Sequence, residues 1–320
     1  MNESFKSIKL TDLIPSRALG FDLFLFFPEN KKFIKYISKD DIIDNEIIMR
    51  MKTRCIHELF VNREDMELYQ KYLAKSLKYR LTNSAHDNEE SARIMKQAAR
   101  NIFENISPQS NQSEIKSWCD DVIGLTNAIV ENLSGDNLNE FKEKLSGLIE
   151  GDRTLGEHSL AVSVLAVTFG MALGIYHGCT LRDLAVGGLL HDVGFIEIPR
   201  QVVFKYLHNQ KLTSEELALL IKHPQLGADM VKSSIDSPII TNKVIKIILE
   251  HHENIRGTGY PRGISNMKQS YLARIVGVAD NVAKDVINRE PLDFRFSILR
   301  CAKNDEAFDC DLLKQVMKVI

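Results

Sequence analysis

"LLHDVGFIEIP", residues 189–199, is the stretch on which the fold turns. An apolar run with the pattern of a buried helix end stops on His191 and Asp192, two polar side chains placed where a core should begin. Buried imidazoles and carboxylates are rarely left without partners, because unpaired desolvation is expensive. The same placement recurs along the chain. His158 sits in "LGEHSLAVSVLAVTFG", His223 in "LLIKHPQLGADM", His251 and His252 in "IILEHHENIRGTGYPRG", and Asp280 in "LARIVGVADNV". All adjoin apolar helical stretches rather than solvated loops.

A single histidine on an apolar helix face is ordinarily a hydrogen-bonded core residue. His57, His86, His177 and His208 have no such company and take that reading. Five imidazoles and two carboxylates directed at one interior are a different matter, since without cations their desolvation would be prohibitive. Imidazole with carboxylate is the donor set of first-row transition metals, whereas Mg²⁺ and Ca²⁺ prefer oxygen. Adjacent helix positions point about 100° apart, so His191 and Asp192 can address different sides of a site, as can His251 and His252. Seven ligands exceed the needs of one ion. They suit two ions sharing a carboxylate, about 3.5–4 Å apart, which is an apparatus for phosphoester hydrolysis.

The order His, His-Asp, His, His-His, Asp, with the GYP tripeptide in "HHENIRGTGYPRG", resembles the HD-GYP branch of the HD phosphohydrolase superfamily over about residues 150–300. The resemblance implies a helical HD-GYP domain, and with the small N-terminal α/β domain that residue patterning places before it, the expected fold class is mainly α. The resemblance also implies a cyclic di-GMP phosphodiesterase that works by attack of a metal-bridging hydroxide, with iron or alternatively manganese as the two transition-metal ions. By the same resemblance, His158, His191, Asp192 and Asp280 hold one metal. Asp192 bridges and is the central catalytic residue, and His223, His251 and His252 complete the second site. Gly259 and Tyr260, in the glycine-rich loop, either contact substrate or only turn the chain. Arg289, nine residues after Asp280, is a phosphate contact or a surface ion-pair partner.

The departures from the family pattern are specific. Phe195 stands where HD-x-G is usually followed by lysine, and Arg256 where the DGxGYP run opens on aspartate. Ala283 replaces a carboxylate three residues after the last ligand. Thr154 replaces the glutamate found in members with a third metal. Two metals and slow turnover are therefore expected. The rival readings are a cyclic di-GMP receptor that barely cleaves, a di-iron oxygenase, and a phosphohydrolase of ordinary nucleotides.

Outward from this region, residues 1–81 read as a small α/β regulatory or docking domain. Strands are expected at "FDLFLFF" and "KFIKYIS", then a helix at "DDIIDNEIIMRMKTR", a strand at "ELFVN" and a second helix over 63–81. The polar stretch 82–93 reads as a linker, 94–150 as a helical connector and 151–320 as the HD-GYP domain. In the connector, Ile115, Trp118, Val122, Leu125 and Ile129 form a short seam suited to packing in a helix bundle.

The 320 residues are 44% hydrophobic and 26% charged, as in soluble globular chains. A net charge of −2 gives no support to a nucleic-acid polymer as partner. Five cysteines without a CxxC suggest reduced thiols. Neither a signal peptide nor a membrane insertion is expected, so a cytoplasmic signalling protein is the expectation, with cyclic di-GMP as ligand and a protein partner for the N-terminal domain.

Overall fold

The structure, a computed structural model, describes residues 4–66 apart from 55, single positions between 68 and 81, 88–133 apart from 108, 154–233, 237–287 apart from 266 and 267, and 310–317. It divides into two compact units, Met1–Asn83 and Ser84–Ile320.

In the first unit, strands β1 (Phe5–Lys9), β3 (Leu23–Phe27), β4 (Lys32–Ile37) and β6 (Glu58–Asn62) form one sheet in the order β1-β6-β3-β4, all antiparallel. Two short strands, β2 (Arg17–Ala18) and β5 (Ile42–Ile43), pair separately. Helix α1 (Asn45–Thr53) starts on Asp44, whose carboxylate accepts from the Ile47 amide and so satisfies an orphan donor. It packs Ile48 and Met51 into a core with Phe21, Leu23, Leu59, Val61, Tyr69 and Tyr72. The expected strands and the first expected helix are present, but the sheet also contains β1, which the sequence reading left out. Its five residues are too short a stretch for period-2 alternation to stand out, and its partner β6 lies about fifty residues away. Most of the helix expected over 63–81 lies outside the described residues.

The second unit is helical: α2 (Asn88–Glu104), α3 (Gln112–Leu133), α4 (Leu155–Ala172), α5 (Gly178–Leu190), α6 (Arg200–Leu207), α7 (Ser214–Leu220), α8 (His223–Lys232), α9 (Asn242–Glu250), α10 (Tyr271–Ile287) and α11 (Cys310–Met317). The linker expected over 82–93 is therefore helix from Asn88 onward. Glu89 and Glu90 read as solvated linker residues, yet they occupy a first helical turn, where the helix dipole favours acids. Arg93 bonds back to Glu90, and Ala92, Ile94 and Met95 are buried.

Helix α4 is the axis of this unit, packed against α5, α10 and α2. It is long and apolar enough to cross a bilayer. However, every residue from Gly156 to Val167 is buried, as expected of a helix that is apolar all round and central to a core. Thr154 caps it, accepting from the Glu157 amide. Glu157 in turn pairs with Arg100 of α2.

Candidate metal centre

Each of the seven predicted ligands sits at a helix end or inside a core helix. His158 lies in the first turn of α4, His191 and Asp192 directly follow α5, His223 opens α8, His251 and His252 follow α9, and Asp280 is in α10. The fold brings all seven together. Asp192 is at the middle, with no exposed surface. Its Oδ1 is 3.0 Å from His223 Nε2 and 3.6 Å from His251 Nε2. Its Oδ2 is 3.1 Å from His191 Nε2 and 3.8 Å from His158 Nε2. On the His158 side, Asp280 Oδ1 stands 3.0 Å from His158 Nε2 and 3.7 Å from His191 Nε2. Two clusters result, Asp192 with His223, His251 and His252, and Asp192 with His158 and His191, their ligand atoms all within 4.8 Å of one another.

The protonation pattern shows what the cluster fits. His191, His223 and His251 each donate from Nδ1 to a backbone carbonyl three residues back, at 2.8, 2.7 and 2.8 Å. A carbonyl only accepts, so the ring hydrogen is on Nδ1 and the Nε2 lone pair points inward, as in metal-binding imidazoles. His223 Nε2 and His251 Nε2 then face each other at 3.2 Å, lone pair against lone pair. His191 Nε2, His252 Nε2 and both oxygens of Asp192 are buried without a hydrogen-bond partner. Such groups are normally satisfied, and cations at these points would satisfy them all. The residues fit a metal centre.

The electrostatics agree in sign for both carboxyls and for three of the imidazoles. Burial pushes both carboxyls up, but His191 and His223 hold Asp192 well below the usual carboxylate range. Lys284 and His158 do the same for Asp280. Burial holds His158, His251 and His252 below the ordinary imidazole value, which leaves them neutral and able to ligate. His191 alone is raised, because the charge of Asp192 outweighs its burial.

Two glycines permit the assembly. A Cβ on Gly194, two residues after Asp192, would lie 2.0 Å from the His223 carbonyl and 2.6 Å from the Gly227 amide, so α8 could not bring His223 to the HD turn. A Cβ on Gly259 would lie 2.4 Å from the His252 carbonyl. Close packing against the His251-His252 turn thus accounts for Gly259. The loop that carries it is tied down by Glu253, which accepts from the amides of Arg262 at 2.7 Å and Ile264 at 2.9 Å. Glu250 takes the Arg262 guanidinium and the Ser270 amide. Tyr260 stacks on His252 with ring centroids 4.6 Å apart. Arg289 lies outside the described residues. His57 and His177 are exposed, and His208 bonds to the carbonyl of Phe204 in its own helix.

Two of the substituted positions, Phe195 and Ala283, are apolar and buried. Phe195 is buried with Ile198, Val202, Val203 and Leu220, its ring 4.2 Å from His223 and 5.4 Å from Tyr206. Ala283 is fully buried. Arg256 forms a bridge with Ser265 inside the loop. The sequence reading did not single out Lys284 or Tyr206. Lys284 Nζ donates to Asp280 Oδ2 and to the Tyr206 hydroxyl, each at 2.7 Å. The signal for Lys284 was present, since it is four residues after Asp280 on one helix face. Tyr206 had none.

Comparison with known proteins gives a consistent result. A family model described as HD domain matches residues 125–291, more than half of the chain. A cyclic di-GMP phosphodiesterase of Pseudomonas aeruginosa is 31% identical over 166 residues, 51% of this chain and 38% of that protein. The cyclic di-GMP phosphodiesterase PdeB of Borreliella burgdorferi is 28% identical over 167 residues, 51% of this chain and 42% of that protein. The chain thus spans about two-fifths of the length of these relatives. The solved structure of an HDG"Y"P protein from Bdellovibrio bacteriovorus superposes with a TM-score of 0.62 at 24% identity, over 98% of this chain and 99% of that one. That match establishes a shared fold.

Proposed function

The chain belongs to the HD domain family, and from that premise we propose that it is a metal-dependent phosphodiesterase of cyclic di-GMP. The observation that carries the reading is Asp192, a fully buried carboxylate shared by two imidazole groups with no hydrogen bond to either oxygen. Two bound first-row transition-metal ions, iron or manganese by the family resemblance, would supply the acidified water and the Lewis acid that phosphodiester hydrolysis requires. His158, His191 and Asp280 would hold one ion and His223, His251 and His252 the other, with Asp192 available to both. The Nδ1 bonds of His191, His223 and His251 fix ring orientation before any ion arrives, so little reorganisation is needed on binding. Tyr260, half-buried and stacked on His252, offers an aromatic ring against which a guanine base can stack. That two of the relatives are named for cyclic di-GMP supports this substrate. A cytoplasmic setting, and a protein partner for residues 1–83, belong to the same proposal.

The test is anaerobic purification, elemental analysis and chromatography of products from cyclic di-GMP, with a chelated control. Turnover that is lost on chelation and regained with iron or manganese is the expected result. A protein with two metals per chain that binds the dinucleotide and leaves it intact would instead be a receptor, a reading favoured by the apolar ring of Phe195 at the edge of the cluster. Dependence of any chemistry on O₂ would move the reading to an oxygenase.

A further inference from the structure

Hydrolysis of a phosphodiester places negative charge on the phosphoryl oxygens and on the departing ribose oxygen. The hydroxide of one water joins phosphorus, the P–O bond to the ribose breaks, and the ribose oxygen takes the remaining proton. A preorganised cation beside that charge is worth a large factor in rate. Position 195 does not supply one: Phe195 lies in an apolar cluster.

Lys284 is linked to it through Tyr206. Asp280 turns Oδ1 toward His158 and His191 and Oδ2 toward Lys284 Nζ, so the ammonium stands one carboxylate's width from the imidazole cluster. Tyr206 holds the ammonium from a second side, and the Tyr206 ring also packs against Phe195. Asp280 is wholly buried, whereas the Lys284 side chain is 31% exposed. Its stem rises from α10 one turn beyond Asp280, so the helix sets its direction. Phe195, Tyr206 and Lys284 thus form a continuous line of contacts beside the cluster, with the positive charge at the end away from Phe195.

We propose that Lys284, positioned by Tyr206, is the residue that meets the scissile phosphate with positive charge, in place of a cation at position 195. The inference rests on the phosphodiesterase reading above and deepens it. It also removes the reason for expecting slow turnover from Phe195 alone, because the charge is moved to another helix rather than lost.

The experiment compares wild type, Lys284→Met, Lys284→Arg, Phe195→Lys and the Lys284→Met/Phe195→Lys pair, each loaded anaerobically with manganese and checked by thermal melting. Three quantities are read: metal per chain, turnover of cyclic di-GMP, and affinity for its hydrolysis-resistant bis-phosphorothioate. Lys284→Met should keep the wild-type metal content, bind the phosphorothioate about 10-fold more weakly and lose about 10²-fold in turnover. Lys284→Arg should retain most of the affinity, and Phe195→Lys should restore at least about 10-fold of the turnover in the Lys284→Met background. Wild-type turnover and affinity in Lys284→Met would overturn the proposal. So would loss of metal in step with activity, with no recovery in Lys284→Arg or the pair, because Lys284 would then only orient Asp280. If metal-loaded wild type hydrolyses no cyclic di-GMP, the phosphodiesterase reading fails by itself. The phosphorothioate titration still decides Lys284, and equal affinity in wild type and Lys284→Met refutes its phosphate contact.

Discussion

Replacing Asp192 with asparagine tests the centre most directly, because the change keeps side-chain volume in a fully buried site and removes only the charge. The geometry makes this residue unlike the other six. Oδ1 faces His223 and His251, Oδ2 faces His191 and His158, and Asp192 is the one residue common to both groups. A unit charge pair about 4 Å apart at an effective dielectric of about 20 is worth about 4 kcal/mol, and a divalent ion doubles this. If desolvation offsets three-quarters of the attraction, about 2 kcal/mol per ion remains, or about 30-fold in affinity for each of two ions. A one-sided ligand such as His252 touches a single group, so His252→Ala should spare the other ion. Elemental analysis of anaerobically purified protein should give about two ions per chain for wild type, about one for His252→Ala and well under one for Asp192→Asn. Melting should follow, since an ion at about 100 times its Kd stabilises by about 2.7 kcal/mol and chelation removes that term. The chelator-induced drop in Tm should therefore be about a third as large for Asp192→Asn as for wild type. An Asp192→Asn protein with the full wild-type metal content would refute the shared-carboxylate argument, as would wild type holding one ion or none.

Other consequences follow from local structure. Asp121 in α3 is largely buried, and burial, with Asp120 beside it, raises its carboxyl to about 7. The folded state thus binds this proton more tightly than the unfolded chain, and stability falls as pH rises from about 4 through 7. Asp121→Asn should raise Tm at pH 8 and change it little at about pH 4 or below, and an unchanged Tm at pH 8 would contradict this. Gly194→Ala should cost at least about 1–3 kcal/mol by overpacking and displace His223, seen as lower Tm together with loss of metal. Normal metal content in a folded Gly194→Ala protein would show that the approach of α8 is not limiting. Residues up to 83 have a core of their own, so limited proteolysis should release a fragment ending close to the 83/84 division. First cuts within 154–233 would count against two separately stable units.

How much of this could be read from the sequence depended on whether the informative residues were near one another along the chain. The seven candidate ligands were visible because each interrupts an apolar helical run, and an isolated polar residue at such a point is costly enough to demand explanation. Helix α3 was visible for the same reason, since Trp118, Val122, Leu125 and Ile129 repeat at helical spacing and are all buried. Strand β1 was not, because its identity depends on a partner about fifty residues away. The start of α2 was hidden by composition: Glu89 and Glu90 are polar in a linker and equally polar in a helical first turn. The most instructive gap is the lysine. Compared position by position, Phe195 is a loss of charge, and a slow enzyme is the natural conclusion. In three dimensions Tyr206 packs against Phe195 and bonds Lys284, so the vacated position and the cation linked to it belong to different helices almost ninety residues apart. A phosphate group reads only where a positive charge stands, not which helix it came from, and that information appears once α6 and α10 are folded against the same cluster.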